Sequence, residues 1–333
     1  MEVFVHGGGS TAGSPNIYDG RKLAAAHQAI VVIPAYRTGV LGGLATPSLT
    51  AESADGSSGN YGLLDQQAAL RWVQRNASAF GGDRHEVSLV GQSAGDSAVC
   101  HYLASPTAAG LFSSAAIWSS PHCGARELPA AEATGSRVAA ALGCTTTACL
   151  RDLPAGKLLD TAQTVSGGNT GTPAAGGRGL PLGPQKAIAV GRINEVPVAI
   201  GATTDDWRGF ALGSYPLSAA EYEKQLTEAA GPEHAEQALD TYPLGNFERN
   251  EYALGTYETD QVICHGLATA ADLSRTTATY AYEFGDVNAP SWQSLGPPMP
   301  NPSGYVAGAS HTTDIQYVFA TRPPPALPSS ARL

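Results

Sequence analysis

Apolar positions along this chain fall into short continuous runs separated by longer stretches with helical spacing. The runs are Glu2–His6, Ile30–Tyr36, Val87–Val90, Ala115–Trp118, Val196–Gly201 and Thr279–Phe284. Most are apolar on both faces, the pattern of strands in a parallel sheet covered by helices on each side. Between them Leu64, Ala68 and Trp72 recur at i, i+4 and i+8, with Ala69 and Val73 widening the stripe. Asp65 is read into the first turn of that helix, where the dipole favours a carboxylate. Further helices are predicted over Ala94–Leu103, Ala130–Leu142, Ala219–Ala230 and Thr259–Ser274. Strands alternating with helices make an α/β sheet. Gly167–Gly183, rich in Gly, Pro and Thr, reads as a long surface loop. The polar helical stretch of about 207–255 reads as an insertion above the sheet, within one domain over residues 1–322. Residues 323–333 read as an extended Pro-rich tail.

Composition narrows the class. Of 333 residues, 43% are apolar, enough for a large core. Gly (39) and Pro (23) make the chain loop-rich, yet below the ~25–30% that marks low-complexity disorder. A charged fraction of 14% argues against a coiled coil. A net charge of −10 without a Lys/Arg cluster argues against nucleic-acid binding. No apolar run approaches the ~18 residues that cross a bilayer, and Met1-Glu-Val-Phe-Val-His reads as a strand rather than a signal peptide. Of five cysteines, Cys144 and Cys149 are close enough to pair, which would suit an oxidising compartment. Cys100 and Cys264 read as buried thiols, and Cys123 stays open.

Two segments carry chemistry. Gly91-Gln92-Ser93-Ala94-Gly95 follows the run Val87–Val90 and opens a helical pattern. A serine on a sharp strand-to-helix turn projects its hydroxyl above a sheet, and small residues on both sides let the backbone turn. The lesser alternative for Ser93 is a plain helix N-cap. His6-Gly7-Gly8-Gly9 follows the first run; glycines there free backbone N–H groups to approach a ligand oxygen, as an oxyanion hole requires. By itself this could be a plain turn. The two together, in this order, match an α/β-hydrolase.

The resemblance extends further. Asn60-Tyr61-Gly62-Leu63-Leu64-Asp65-Gln66-Gln67, then Ala69–Val73, Asn76, Phe80-Gly81-Gly82-Asp83 and Gly91–Gly95, is similar to the signature of type-B carboxylesterases, the cholinesterase-like branch of that fold. It is strong over residues 3–120, moderate over 142–206 and 257–319, and weak over 207–255. The resemblance implies hydrolysis of small-molecule carboxylic esters through an acyl-enzyme, without cofactor or metal. It implies Ser93 as nucleophile and the N–H groups of Gly8, Gly9 and Ala94 as oxyanion donors. Thr204-Asp205-Asp206-Trp207 matches the family's acid element, with Asp206 at the acid position, and Gly308-Ala309-Ser310-His311 matches its base element.

Elimination reaches the same histidine. His6 belongs to the Gly loop, His27 and His85 precede the nucleophile, and His101 and His265 lie in helical patterns. His122 has no strand after it and His234 sits in a polar helix. His311 alone follows the last apolar strand within a loop. Departures from the family are Gln92 for a usual Glu, Asp96 for a small residue, and Trp207 for a Gly. The chain also opens inside the strand bearing the Gly loop and stops soon after His311. It is therefore expected to be truncated at both ends and to lack the family's first strands and last helices. The alternatives to an active esterase are a catalytically silent binding module or an inactive fragment; silence is best diagnosed by loss of Ser, acid or His, and candidates for all three are present.

Overall fold

The computed structural model describes residues 1–119, 123–167, 170–290 and 302–321; the Pro-rich tail lies outside these. The six predicted runs all become strands: β1 (Glu2–Val5), β2 (Val31–Val32), β3 (Ser88–Gln92), β4 (Ser114–Trp118), β5 (Val198–Thr203) and β6 (Thr279–Phe284). They form one parallel sheet in the order β2-β1-β3-β4-β5-β6. Val5, Gly91, Ile117, Ile200 and Ala281 align across it. The carboxyl ends of β1, β3 and β5 therefore share one edge, where open α/β sheets bind ligands. β2 is shorter than the run Ile30–Tyr36 because Pro34 has no N–H for a ladder. Tyr36 leaves the strand and donates its hydroxyl to His6 O at 2.6 Å.

The helices that bear on the site are α1 (Tyr61–Asn76), α2 (Ala94–Ala104), α3 (Leu128–Ala141), α4 (Arg208–Ala211), α5 (Ala219–Ala230), α6 (Asn250–Leu273) and α7 (Ile315–Val318). One face of the sheet packs Val3, Val5, Leu89 and Ile200 against Leu70, Val73, Val99, Leu103 and Leu273. The other packs Phe4 and Val90 against Ile17, Ile315 and Phe319. Each such side chain contributes about 1.5–3 kcal/mol over exposure.

The buried face of α1 differs from the one the spacing predicts. Leu64 is 53% exposed and Trp72 42%, and Ala68 is also exposed; Gly62, Gln66, Leu70 and Val73 turn inward. Polar residues enter that stripe because their amides are satisfied. Gln66 Oε1 accepts from the Tyr102 hydroxyl at 2.9 Å, and Gln67 Nε2 donates to Thr107 at 2.8 Å. Trp72 instead rests on Phe80 at the surface, 5.7 Å between ring centres. Asp65 lies beyond the first turn and pairs with Arg37 at 2.7 Å.

Three other expectations are corrected. The segment Gly167–Gly183 is not all surface. Ala174–Ala175 pair with Arg126–Glu127 and are buried, because Asn60 bonds both the N–H and the carbonyl of Ala174, at 2.8 and 2.7 Å. α6 starts at Asn250, nine residues before Thr259, and its first turns close a separate cluster with Leu217, Tyr222 and Leu226. Cys100 is bonded to Cys123, and Cys144 to Cys149. The apolar pattern around Cys100 signals burial, and both partners are fully buried, but it says nothing about pairing. Cys264 is free and exposed, because Val262, Gly266, Thr269 and Leu273 take the inner face of α6.

Candidate active site

β3 ends at Gln92 and α2 begins at Ala94, so Ser93 alone makes the turn between them. It holds φ 59°, ψ −128°, a conformation that costs a non-glycine residue about 1–3 kcal/mol. Close packing on both sides enforces it. A Cβ on Gly91 would lie 2.1 Å from Gly95 O, and a Cβ on Gly95 would lie 2.0 Å from Val5 O. Only glycines let this elbow seat against β1. Ser93 N donates to Trp118 O at 2.9 Å, fixing the elbow to β4 as well. As N-cap of α2, Ser93 sits where the helix dipole is positive, which favours a developing anion.

The Gly loop leaves β1 directly beside it. A Cβ on Gly7 would come within 2.8 Å of Ser93 Cβ. Gly8 has φ 125°, and its carbonyl accepts from Ala12 N at 2.9 Å, turning the loop back on itself. His6 anchors the base of the loop: its ring stacks on Tyr36 at 4.3 Å and its Nδ1 lies 2.9 Å from Gly7 O. Burial lowers its pKa, so it stays neutral.

Asp206 and His311 come from loops 105 residues apart in sequence, and meet. His311 Nδ1 lies 2.9 Å from Asp206 Oδ1, and the second carboxylate oxygen accepts from Thr203 Oγ1 at 2.8 Å. Asp206 is fully buried, and the His311 side chain is 11% exposed. A backbone ladder holds the two loops together. His311 N donates to Asp206 O at 2.9 Å and Asp205 N to Ala309 O at 3.1 Å. Asp205 points elsewhere: its Oδ2 accepts from Ala309 N at 3.0 Å and its Oδ1 pairs with Arg208 at 2.9 Å. Of the two adjacent carboxylates, one meets the histidine and the other ties down the histidine's loop.

Burial alone would lower the His311 pKa. The charge of Asp206 and its hydrogen bond outweigh that, Asp314 adds to them, and the net shift is upward. Asp314, at the N-cap of α7, is itself pushed up to about 6, chiefly by burial. No hydrogen bond joins Ser93 to His311 among the described residues; His311 Nε2 instead lies 3.1 Å from Gln92 Nε2. Phe210 packs at a tilt against the imidazole, 5.1 Å between ring centres, and against Trp207 at 5.0 Å, and it is 44% exposed. Trp207 is held by its backbone N–H, which donates to Thr259 of α6 at 2.9 Å.

Of the other histidines, His101 lies inside α2 with Nδ1 on Ser97 O, His265 is exposed, and His122 lies outside the described residues. Among the described residues no group of three or more His, Cys, Asp or Glu is placed to hold a metal. Thr203, Gln92 and Asp314 touch or influence the Asp206–His311 pair, yet no motif reading assigns them a part. Thr203 lies two residues beyond the predicted run Val196–Gly201.

Known proteins are similar to this chain over most of its length. The sequence pattern of the carboxylesterase family matches residues 2–329. The chain is 33% identical over 342 residues to fumonisin B1 esterase of Sphingopyxis macrogoltabida, covering 97% of this chain and 58% of that protein. It is 37% identical over 256 residues to para-nitrobenzyl esterase of Bacillus subtilis, covering 72% and 51%. A solved thermophilic PNB esterase superposes with a TM-score of 0.75 at 30% identity, over 96% of this chain and 64% of that one. The chain thus spans between about half and two-thirds of the length of these relatives, with an α/β-hydrolase fold. It belongs to the carboxylesterase family.

Proposed function

We propose that this chain hydrolyses carboxylic esters of small molecules by a serine mechanism. One observation carries the reading: a buried His311–Asp206 pair meets Gln92, the residue before a serine that is held in a strained elbow against a glycine loop. Asp206 fixes the Nδ1–H tautomer of His311, which leaves the Nε2 lone pair free to act as base. His311 takes the Ser93 proton as Oγ attacks the ester carbonyl carbon. The N–H groups of Gly8, Gly9 and Ala94 receive the resulting oxyanion. Collapse breaks the bond to the alcohol oxygen, which takes the proton from His311, and an acyl-Ser93 ester remains. Water, deprotonated by His311, attacks that ester; the tetrahedral intermediate collapses to release the carboxylic acid, and Ser93 regains its proton. The esterase names of the relatives support the class of reaction.

Hydrolysis of short-chain p-nitrophenyl esters tests it. Ser93→Ala should reduce kcat to the residual rate left by the oxyanion hole, ~10³–10⁴ over water at most. A phosphonate ester should label the parent protein at Ser93. A folded Ser93→Ala protein with the parent's kcat would refute the proposal.

A further inference from the structure

Away from the reacting residues, α1, α2 and the loops at 53–60 and 179–180 line a cavity of about 80 Å³. That is room for roughly five to eight water molecules. Ser93, Asp206 and His311 do not line it. His101 does, eight residues along α2 from Ser93, which is about 12 Å of helix. His101 is 1% exposed, and its Nδ1 bonds back to Ser97 O in its own helix. A carbonyl only accepts, so Nδ1 carries the proton and Nε2 a bare lone pair. Burial lowers the pKa to about 4, so the ring is neutral near pH 7. Nε2 is buried with no hydrogen-bond partner among the described residues. An acceptor in that state has lost water and gained nothing in exchange, and a donor in the cavity would relieve it.

The rest of the lining says what kind of donor fits. The hydroxyls of Ser57, Ser105 and Tyr102 and the amide of Gln67 donate to protein acceptors: Asp55, Gly179 O, Leu63 O and Thr107 in turn. What these walls still offer is lone pairs and charge. Asp55 is the one carboxylate among the described lining residues, which include no Lys or Arg. Its Oδ2 accepts from Ser57 Oγ at 2.6 Å and its Oδ1 from Gly179 N at 2.8 Å, and both donors are neutral. Leu63, Leu64 and Leu180 add apolar surface. We propose that this cavity binds a short primary alkylammonium ion, which donates to His101 Nε2, has Asp55 as its counter-charge and lays its chain on the three leucines. The site is separate from ester hydrolysis and does not rest on it.

Other small molecules satisfy only part of this lining. An alcohol of the same length can donate to Nε2 but leaves the charge of Asp55 unbalanced. A quaternary ammonium balances Asp55 but has no N–H group for Nε2. A carboxylate meets a like charge, and Nε2 has no proton to give it. A primary ammonium carries both the charge and the donors, and charge-assisted bonds are the stronger ones. The n-propylammonium ion, with four heavy atoms, is small enough for the volume.

The test adds n-propylammonium chloride to protein labelled with ¹⁵N-histidine, at about pH 8, where a primary amine is charged. Sodium chloride at equal ionic strength is the blank. The His101 ring nitrogens are followed by NMR, and affinities are measured by calorimetry. The Nε2 resonance should move saturably, with half-saturation at about 1–10 mM for so small a ligand. 1-Propanol and tetramethylammonium should each bind at least about tenfold more weakly. Asp55→Asn keeps the shape and removes the charge; His101→Phe keeps the ring and removes Nε2. Each should weaken n-propylammonium by about tenfold or more. If the Nε2 resonance stays unmoved at ~100 mM amine, the cavity holds water only and the inference is overturned. Equal binding of 1-propanol, or the parent's affinity in either folded variant, overturns it too. The titration of the parent protein decides the matter even if neither variant folds.

Discussion

Ser93 and the Gly loop stand at the ends of neighbouring parallel strands, β3 and β1, and owe their geometry to backbone packed on backbone. His311 and Asp206 stand in two loops and owe theirs to a few hydrogen bonds: Nδ1 to Oδ1, Thr203 to the second oxygen, and the ladder between the loops. On the first side backbone packs on backbone, and an added methyl group has nowhere to go. On the second side charge is dense: Asp206, Asp205, Asp314 and Arg208 lie on or next to the two loops. The nucleophile side should therefore respond to volume and the acid–base side to charge.

The largest effect expected separates these responses. Asp206→Asn keeps the shape, and the new amide can still face Thr203, so melting should change by only a few degrees. Removing the charge releases the imidazole tautomer, and kcat should fall by up to ~10⁴, equivalent to about 5.5 kcal/mol. Asp205→Asn keeps an oxygen for Ala309 N and loses only the pairing with Arg208, so kcat should stay within about tenfold. Steady-state kinetics on both variants checks this. Collapse of activity in Asp205→Asn, with Asp206→Asn left intact, would reverse the assignment of the two.

The opposite behaviour is expected at Gly95. The Cβ of Ala at this position would fall 2.0 Å from Val5 O, a backbone atom within the sheet that cannot rotate away. The ordinary separation of carbon and oxygen is more than an ångström greater, so either β1 or the start of α2 must move. Gly95→Ala should cost about 3 kcal/mol or more, read as a lower denaturation midpoint or as insoluble protein. A variant that melts with the parent would show that the elbow has room for the methyl group.

This division also explains what the sequence discloses. The six strands, the elbow and the Gly loop are legible because each is local: an apolar run, a glycine or a serine says what the backbone must do there. The pairing of Asp206 with His311 follows only through resemblance, since no local signal joins residues 105 positions apart. Contacts made by side chains after the backbone is set are the least legible. Gln66 and Gln67 turn inward although Leu64 and Trp72 promise the apolar stripe, because tertiary partners satisfy their amides. Cys100 looks like an ordinary core thiol until the chain leaving β4 brings Cys123 to it. Gln92 is visible in the sequence as a departure from the family, but its contact with His311 depends on a loop that arrives 219 residues later.

The smallest effect expected concerns Asp314, and it tests whether charge on the acid–base side acts on stability as well as on rate. Its carboxyl is buried, with one oxygen lacking a hydrogen-bond partner among the described residues, and its pKa is pushed up from 3.8 to about 6 by burial; His311 pulls the other way and Asp206 adds to the rise. A carboxyl whose folded pKa is raised holds its proton more tightly in the native state than in the unfolded chain. Between about pH 4 and pH 6 the native state therefore binds more protons, and stability falls as pH rises through that window. Below it the group is neutral in both states and costs nothing; above it the penalty levels off. Two units at about 1.4 kcal/mol each set an upper bound near 3 kcal/mol, with the attraction of His311 already inside that shift. Asp314→Asn removes the ionisation and nearly keeps the shape. Its unfolding free energy should match the parent at pH 4 and exceed it by about 1–3 kcal/mol at pH 8, measured by denaturant titration at both values. Because Asp314 also raises the His311 pKa, the acid limb of kcat/KM should move slightly down in the same variant. An equal change in stability at pH 4 and pH 8 would mean that Asp314 acts through packing alone, and would place it with the volume-sensitive side of the site.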